Sequence, residues 1–210
     1  MIYCATPNTS KVRDTIAAGQ LGAMLTPDSW PQLNDKVSER FPWVALDNGC
    51  FSDKWNESKW WAWLKIMQPR RPECLFAVCP DVVGDHDATL KRWYRYAEGI
   101  KSLGYPAAFV LQDGASKGDV PWSDIDALFI GGSTDFKLSE TAWEMVTFAK
   151  TFGLHTHMGR VNSFNRIRAC ARAGVDSVDG TYLAFGPDAN LPKLMNWLTW
   201  IEQHPTMGTV

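Results

Sequence analysis

A chain of 210 residues, 45% hydrophobic and 12% aromatic, can bury one good core and is expected to form a single domain over residues 1–210. A formal net charge of -2 and an isoelectric point near 6.1 exclude a global nucleic-acid signature, so any contact with a polyanion must come from a local patch. Five cysteines (Cys4, Cys50, Cys74, Cys79, Cys170) contain no C-x-x-C pair, and no apolar run approaches the roughly 18 residues of a membrane span; the expectation is a reduced, cytoplasmic protein with neither disulfide framework, zinc knuckle nor membrane contact.

In chain order, apolar runs bounded by turn residues predict strands at Ile2–Ala5, Gly22–Leu25, Trp43–Leu46, Leu75–Val78, Ala107–Leu111, Ala127–Ile130, His155–Met158 and Ser177–Val178. Helical periodicity is clearest over Asp87–Leu103, Ser139–Phe152, Ser163–Ala173 and Leu191–Gln203. Ser139 and Ser163 are read as caps, and Gly104, Gly153 and Gly174 as helix ends. The connection from Thr26 to Pro42 carries three prolines and should hold little regular helix, while Pro205–Val210 reads as a loose tail. Trp60, Trp61 and Trp63 lie at helical spacing and are assigned to packing. Strand–helix alternation with eight strands predicts a compact (β/α)8 TIM barrel, near the lower end of the roughly 200–400 residues of that fold; an open doubly wound sheet is the alternative.

In such a barrel the reacting groups project from the carboxyl ends of the strands. Asp47, Asp81, Gln112, Gly131, Gly132, Met158, Gly159 and Asp179 all occupy that position. One aspartate after a strand is commonly a cap or turn residue; several at one mouth carry the weight. Carboxylates gathered there repel one another and raise a pKa, which suits a site where one must donate a proton and another must attack. His155-Thr156-His157 is the rival motif: it sets two imidazoles on one face of a strand and, with Asp85-His86-Asp87 and Asp179, could serve a metal-dependent hydrolase. Arg160, Arg166, Arg168 and Arg172 form a basic cluster, with Arg70, Arg71 and Lys137 elsewhere. Arg160 follows Met158-Gly159 at the predicted mouth, where it could meet a phosphate. Trp30 could stack on a base or plug the core.

These motifs resemble a known family. Asp47-Asn48-Gly49-Cys50-Phe51 is similar to the Asp-Ser-Gly-Gly-aromatic motif of the tRNA-guanine transglycosylases, and Gly174-Val175-Asp176-Ser177-Val178-Asp179 to their Gly-hydrophobic-Asp-x-hydrophobic-Asp nucleophile motif. Between them, Phe76 to Asp81 resembles the strand whose aspartate reads guanine, Val110-Leu111-Gln112 the strand whose glutamine does so, Ile130-Gly131-Gly132 the glycine pair under the base, and Met158-Gly159 the Met-Gly after a later strand. The resemblance runs from about Trp43 to Leu183. There are departures: Lys137 stands where the family has a glutamate, and no cysteine follows Asp179, so the family's zinc-bearing, tRNA-contacting subdomain is expected to be missing. In length and in these losses the chain resembles the short phage members of the DNA 7-deazaguanine transglycosylases.

The resemblance implies Asp179 as nucleophile and Asp47 as general acid and base. It implies Asp81, Gln112, Gly131, Gly132 and Gly159 around the base, Phe51 and Met158 on its two faces, and neither metal nor cofactor. DNA is the implied partner, tRNA the alternative, with a free 7-deazaguanine base as second substrate, no membrane, room for a homodimer, and the cytoplasm of a host as location if the chain is phage-encoded. The chemistry is coherent. Breaking an N-glycosidic bond creates an oxocarbenium-like centre at C1′, which a carboxylate on the face opposite the leaving base can trap. A barrel that binds nucleic acid without catalysis is a further alternative, disfavoured by the presence of both Asp47 and Asp179.

Overall fold

A computed structural model describes residues 1–29, 40–52 and 55–204. Most of the Thr26–Pro42 connection, Trp30 and the tail from Pro205 lie outside the described residues. Eight parallel strands follow one another around a closed barrel: β1 (Ile2–Ala5), β2 (Gly22–Leu25), β3 (Val44–Leu46), β4 (Cys74–Val78), β5 (Ala107–Leu111), β6 (Ala127–Ile130), β7 (His155–Met158) and β8 (Ser177–Asp179). β8 pairs back onto β1, with Cys4 opposite Asp179, and this closure rules out the open sheet. A closed sheet has no unpaired edge, so strands of three to five residues suffice.

The two-residue period of a strand sorts the side chains into two cores. Outward-facing Tyr3, Leu46, Phe109, Leu128, Ile130, Met158 and Val178 pack under the helices. Inward-facing Cys4, Met24, Ala45, Phe76, Val78, Ala108, Val110 and Ala127 fill the barrel, with Phe129 against them. Three of those inward positions are alanine, which leaves room for the rings of Phe76 and Phe129. Both rings lie against His157, with centroids 5.0 and 4.6 Å away.

The connecting helices are α1 (Ser10–Ala17), α2 (Glu57–Ile66), α3 (His86–Ser102), α4 (Thr134–Lys137), α5 (Glu140–Thr151), α6 (Phe164–Arg172) and α7 (Pro187–Gln203). Thr9, Asn56, Asp85, Ser133, Ser139 and Ser163 cap the first six through their side chains, satisfying orphan N–H groups on the face where the strands end. Ser139 and Ser163 thus act as the sequence predicts, and Gly104, Gly153 and Gly174 have positive φ after the helices they follow. Helices α1 and α4 escape sequence reasoning for a simple reason: α1 buries only Val12 and Ile16, and α4 is a single turn. Trp60 and Trp63 of α2 are buried against the barrel. All five cysteines are buried and unpaired, and no helix among the described residues is long and apolar enough to cross a membrane.

Candidate active site

Inward-facing residues at the carboxyl ends of the strands open into a cleft of about 230 Å³. Asp47, Phe51, Asp81, Gln112, Gly131, Gly132, Gly159, Arg160 and Asp179, all singled out by the sequence, line it together with Asn48, Thr6, Thr26 and Thr181. Asp47 continues the inward parity of Ala45 on β3; Gln112 continues that of Val110 on β5; Asp179 closes β8. Gly131 and Gly159 are inward positions where a side chain would collide. A Cβ at Gly131 would stand 2.8 Å from Val110 and 3.1 Å from Gln112 Nε2; one at Gly159 would stand 2.9 Å from the Phe129 ring.

Asp81 is the most fully organised group. Asn48 Nδ2 donates to its Oδ1 at 2.8 Å and Gln112 Nε2 to its Oδ2 at 2.6 Å, so neutral amides hold both oxygens. The amides are fixed in turn. Asn48 Nδ2 also donates to Cys79 O at 2.9 Å, while Asn48 Oδ1 accepts Cys50 N–H at 2.7 Å and Gln112 Oε1 accepts Gly84 N–H at 2.9 Å. Burial pushes the Asp81 carboxyl above its ordinary range, against the pull of those bonds and of Arg92. Asn48 is the residue that sequence reasoning missed; the available signal was an amide placed directly after a strand-end aspartate.

Asp47 and Asp179 are ringed by protein while keeping an open side on the cleft. Burial, then the charges of Asp179 and Asp81, raise Asp47 to about 7, against backbone N–H groups of Asn48 and Gly49. Burial raises Asp179 to about 6, opposed by the Arg160 N–H and the charges of Lys137 and Arg160. Arg160 N–H donates to Asp179 Oδ1, and among the described residues Oδ2 accepts no hydrogen bond. Two acids with pKa values near neutrality in one cleft can hold one proton between them.

Arg160 is the one non-glycine residue with positive φ, 60°, among those described. Its guanidinium donates to Gly132 O and lies 4.6 Å from the centroid of the Phe51 ring, which stands 63% exposed on the rim. Lys137 is buried and donates to Gly159 O at 2.9 Å, so it braces the turn that carries Arg160; burial, then Arg160, lower it to about 8. Arg166, Arg168 and Arg172 are absent from the cleft lining. Arg168 and Arg172 line hollows on the outer side of α6, so the basic cluster reduces to one residue at the mouth.

No protein-family model and no curated protein matches this chain.

Met158 departs from its expected place. On β7 the inward positions are His155 and His157, so Met158 points outward, where it is buried beside Cys170 with sulfurs 3.4 Å apart. It does not line the cleft, and it is Arg160 that lies over the Phe51 ring. The two histidines meet at one hydroxyl: Ser177 Oγ lies 2.7 Å from His155 Nε2 and 2.8 Å from His157 Nδ1. This cluster fills the barrel floor and is absent from the cleft lining; Asp85 caps α3, away from it. No group of three or more His, Cys, Asp and Glu among the described residues is placed to hold a metal ion.

Proposed function

We propose that this chain is a base-exchange transglycosylase that replaces guanine in DNA with a 7-deazaguanine derivative through a covalent aspartyl-glycosyl intermediate. The observation that carries the reading is the pair Asp47 and Asp179, raised to about 7 and about 6 and sharing one cleft with a third, amide-clamped carboxylate. Such a site suits a reaction needing one carboxylate to attack and another to carry a proton. A cleft of about 230 Å³ is small against the roughly 300–1,000 Å³ of sites for drug-sized ligands, which favours a single base over a whole nucleotide inside it.

In the first half-reaction Asp179 Oδ2 attacks C1′ as the bond to the guanine nitrogen breaks, and Asp47 delivers its proton to the departing base. In the second, Asp47 as carboxylate takes the proton from the ring nitrogen of the incoming deazaguanine; that nitrogen attacks C1′ and Asp179 leaves. Each carboxylate is restored, and no net proton is gained or lost. The Arg160 N–H on Oδ1 orients the nucleophile without blocking its other oxygen.

Asp81 supports the choice of guanine. An ionised carboxylate is acceptor-only, and its remaining lone pairs match the adjacent N1–H and amino donors of guanine. Gln112 Oε1 is tied to Gly84 N–H, so its amide nitrogen faces the cleft with one hydrogen spare for O6. Incubating DNA with labelled 7-deazaguanine bases and analysing the nucleosides by mass spectrometry tests the reading. Label should enter DNA with wild type and stay out with Asp179→Asn. Incorporation into tRNA alone would move the partner to RNA, and no incorporation into either would sink the proposal.

A further inference from the structure

Resting on the reading of this cleft as a base site, we infer that Arg160 occupies the slot a base would take and so biases the order in which the two substrates bind. Its planar guanidinium lies over the Phe51 ring, 4.6 Å from the centroid, and donates to Gly132 O. Phe51 and Gly132 are two of the groups a planar hydrogen-bonding heterocycle would use, and no ring fits between Phe51 and a guanidinium at that separation. The conformation is held against a cost. A non-glycine residue at φ 60° is strained, yet three contacts fix it: backbone N–H to Asp179, guanidinium to Gly132 O, and guanidinium on Phe51.

For a base to enter, the guanidinium must leave Phe51 and Gly132. A nucleotide brings its own inducement, because its flanking phosphate offers the cation a charge-assisted partner outside the slot. A free base brings none. Base exchange by the proposed route requires nucleic acid first and free base second, and a free base bound to the empty enzyme would be a dead end. Arg160 therefore disfavours the unproductive order while leaving the productive one open.

The prediction has opposite signs for the two ligands. In calorimetry, Arg160→Ala should bind free 7-deazaguanine more tightly than wild type by roughly 5- to 30-fold, the factor expected from losing one cation–π contact and one hydrogen bond that compete with the base. The same variant should bind a guanine-containing single-stranded oligonucleotide several-fold more weakly, and excess free base should now inhibit exchange competitively with DNA. Arg160→Gly, which accepts positive φ without strain, serves as the second variant should alanine impair folding. Free-base affinity unchanged or weakened in both variants overturns the inference while leaving the base site standing. Wild type and both variants folded yet binding no 7-deazaguanine would overturn the site reading, and the inference with it.

Discussion

The barrel holds two polar clusters, one at each end, and burial acts on them with opposite sign. At the floor, His155 and His157 share the Ser177 hydroxyl beneath the Phe76 and Phe129 rings, and burial pushes both imidazoles down, His157 well below its usual range. At the rim, Asp47, Asp81 and Asp179 are pushed up. Desolvation favours the neutral form in both places. The consequence differs because an acid raised to about 6 or 7 arrives at neutral pH, whereas a histidine lowered from 6.5 departs from it. The rim can therefore exchange protons under ordinary conditions, and the floor is a neutral hydrogen-bonded plug. The floor even leaves His157 Nε2 buried without a partner among the described residues, which fits packing better than chemistry.

The test with the largest expected effect removes the proposed nucleophile at the rim. Asp179→Asn should fold, lose the denaturant-resistant adduct with guanine-containing DNA, and lose exchange by on the order of 10³-fold or more, read on a denaturing gel and by label incorporation. Full turnover by this variant would falsify the covalent route.

Next comes the proposed proton carrier. Asp47→Asn should cost about 10²- to 10⁴-fold in turnover while leaving DNA binding intact. With Asp179 required ionised and Asp47 protonated in the first half-reaction, kcat/KM for DNA should be bell-shaped, with limbs near pH 6 and pH 7 that belong to the pair. Stability carries the same sign. A folded carboxyl with a raised pKa keeps its proton where the unfolded chain has released it, so this contribution is complete below about pH 4 and is lost as pH rises through about 7. Asp47→Asn should therefore stabilise the fold at pH 8 by about 1–2 kcal/mol and by much less at pH 5, after allowance for the side open to cleft water. Denaturant melts at the two pH values read it directly, and equal gains at both would remove burial as the cause.

A smaller effect separates recognition from chemistry. Asp81→Ala strands the donors that face it and should weaken guanine and 7-deazaguanine alike, by about 1–3 kcal/mol for each buried group left unsatisfied. Asn48→Ala should reproduce part of that loss through a disordered Asp81 and should lower stability as well. Calorimetry with the free base in which Asp81→Ala binds as wild type does would mean that the cleft does not read guanine.

The smallest effect is expected at the floor. His157→Leu removes an orphaned ring nitrogen at the cost of one bond to Ser177, two terms of about 1 kcal/mol that oppose each other, so melting and exchange should stay close to wild type. Chelator should leave exchange unchanged. One tightly bound metal per chain, lost in this variant, would instead make the floor the functional end and erase the contrast between the two clusters.

Much of the rim is legible in the residues alone. The strand-end positions of Asp47, Gln112 and Asp179 follow from apolar runs that stop at a polar residue, and parity sends them inward. The same parity, applied to β7, sends Met158 outward; the motif resemblance points the other way, and the two-residue period of the strand prevails. Asn48 and Lys137 are hidden for another reason. Each acts through partners far along the chain, Asn48 through Cys79 and Asp81 and Lys137 through Gly159, and the local sequence offers only the amide directly after a strand-end aspartate.

The sequence by itself determined the eight-strand alternation, the caps and glycine ends of several helices, and the set of carboxylates delivered to one face, because these depend on periodicity and local backbone chemistry. Tertiary structure decided closure, with β8 seated on β1 and Cys4 beside Asp179. It decided the amide clamp on Asp81 and the raised protonation of the rim, which need neighbours brought in by other strands. It also decided the placement of Arg160 across the slot: a positive φ at an arginine is held only when distant partners, here Asp179, Gly132 and Phe51, outweigh its local cost.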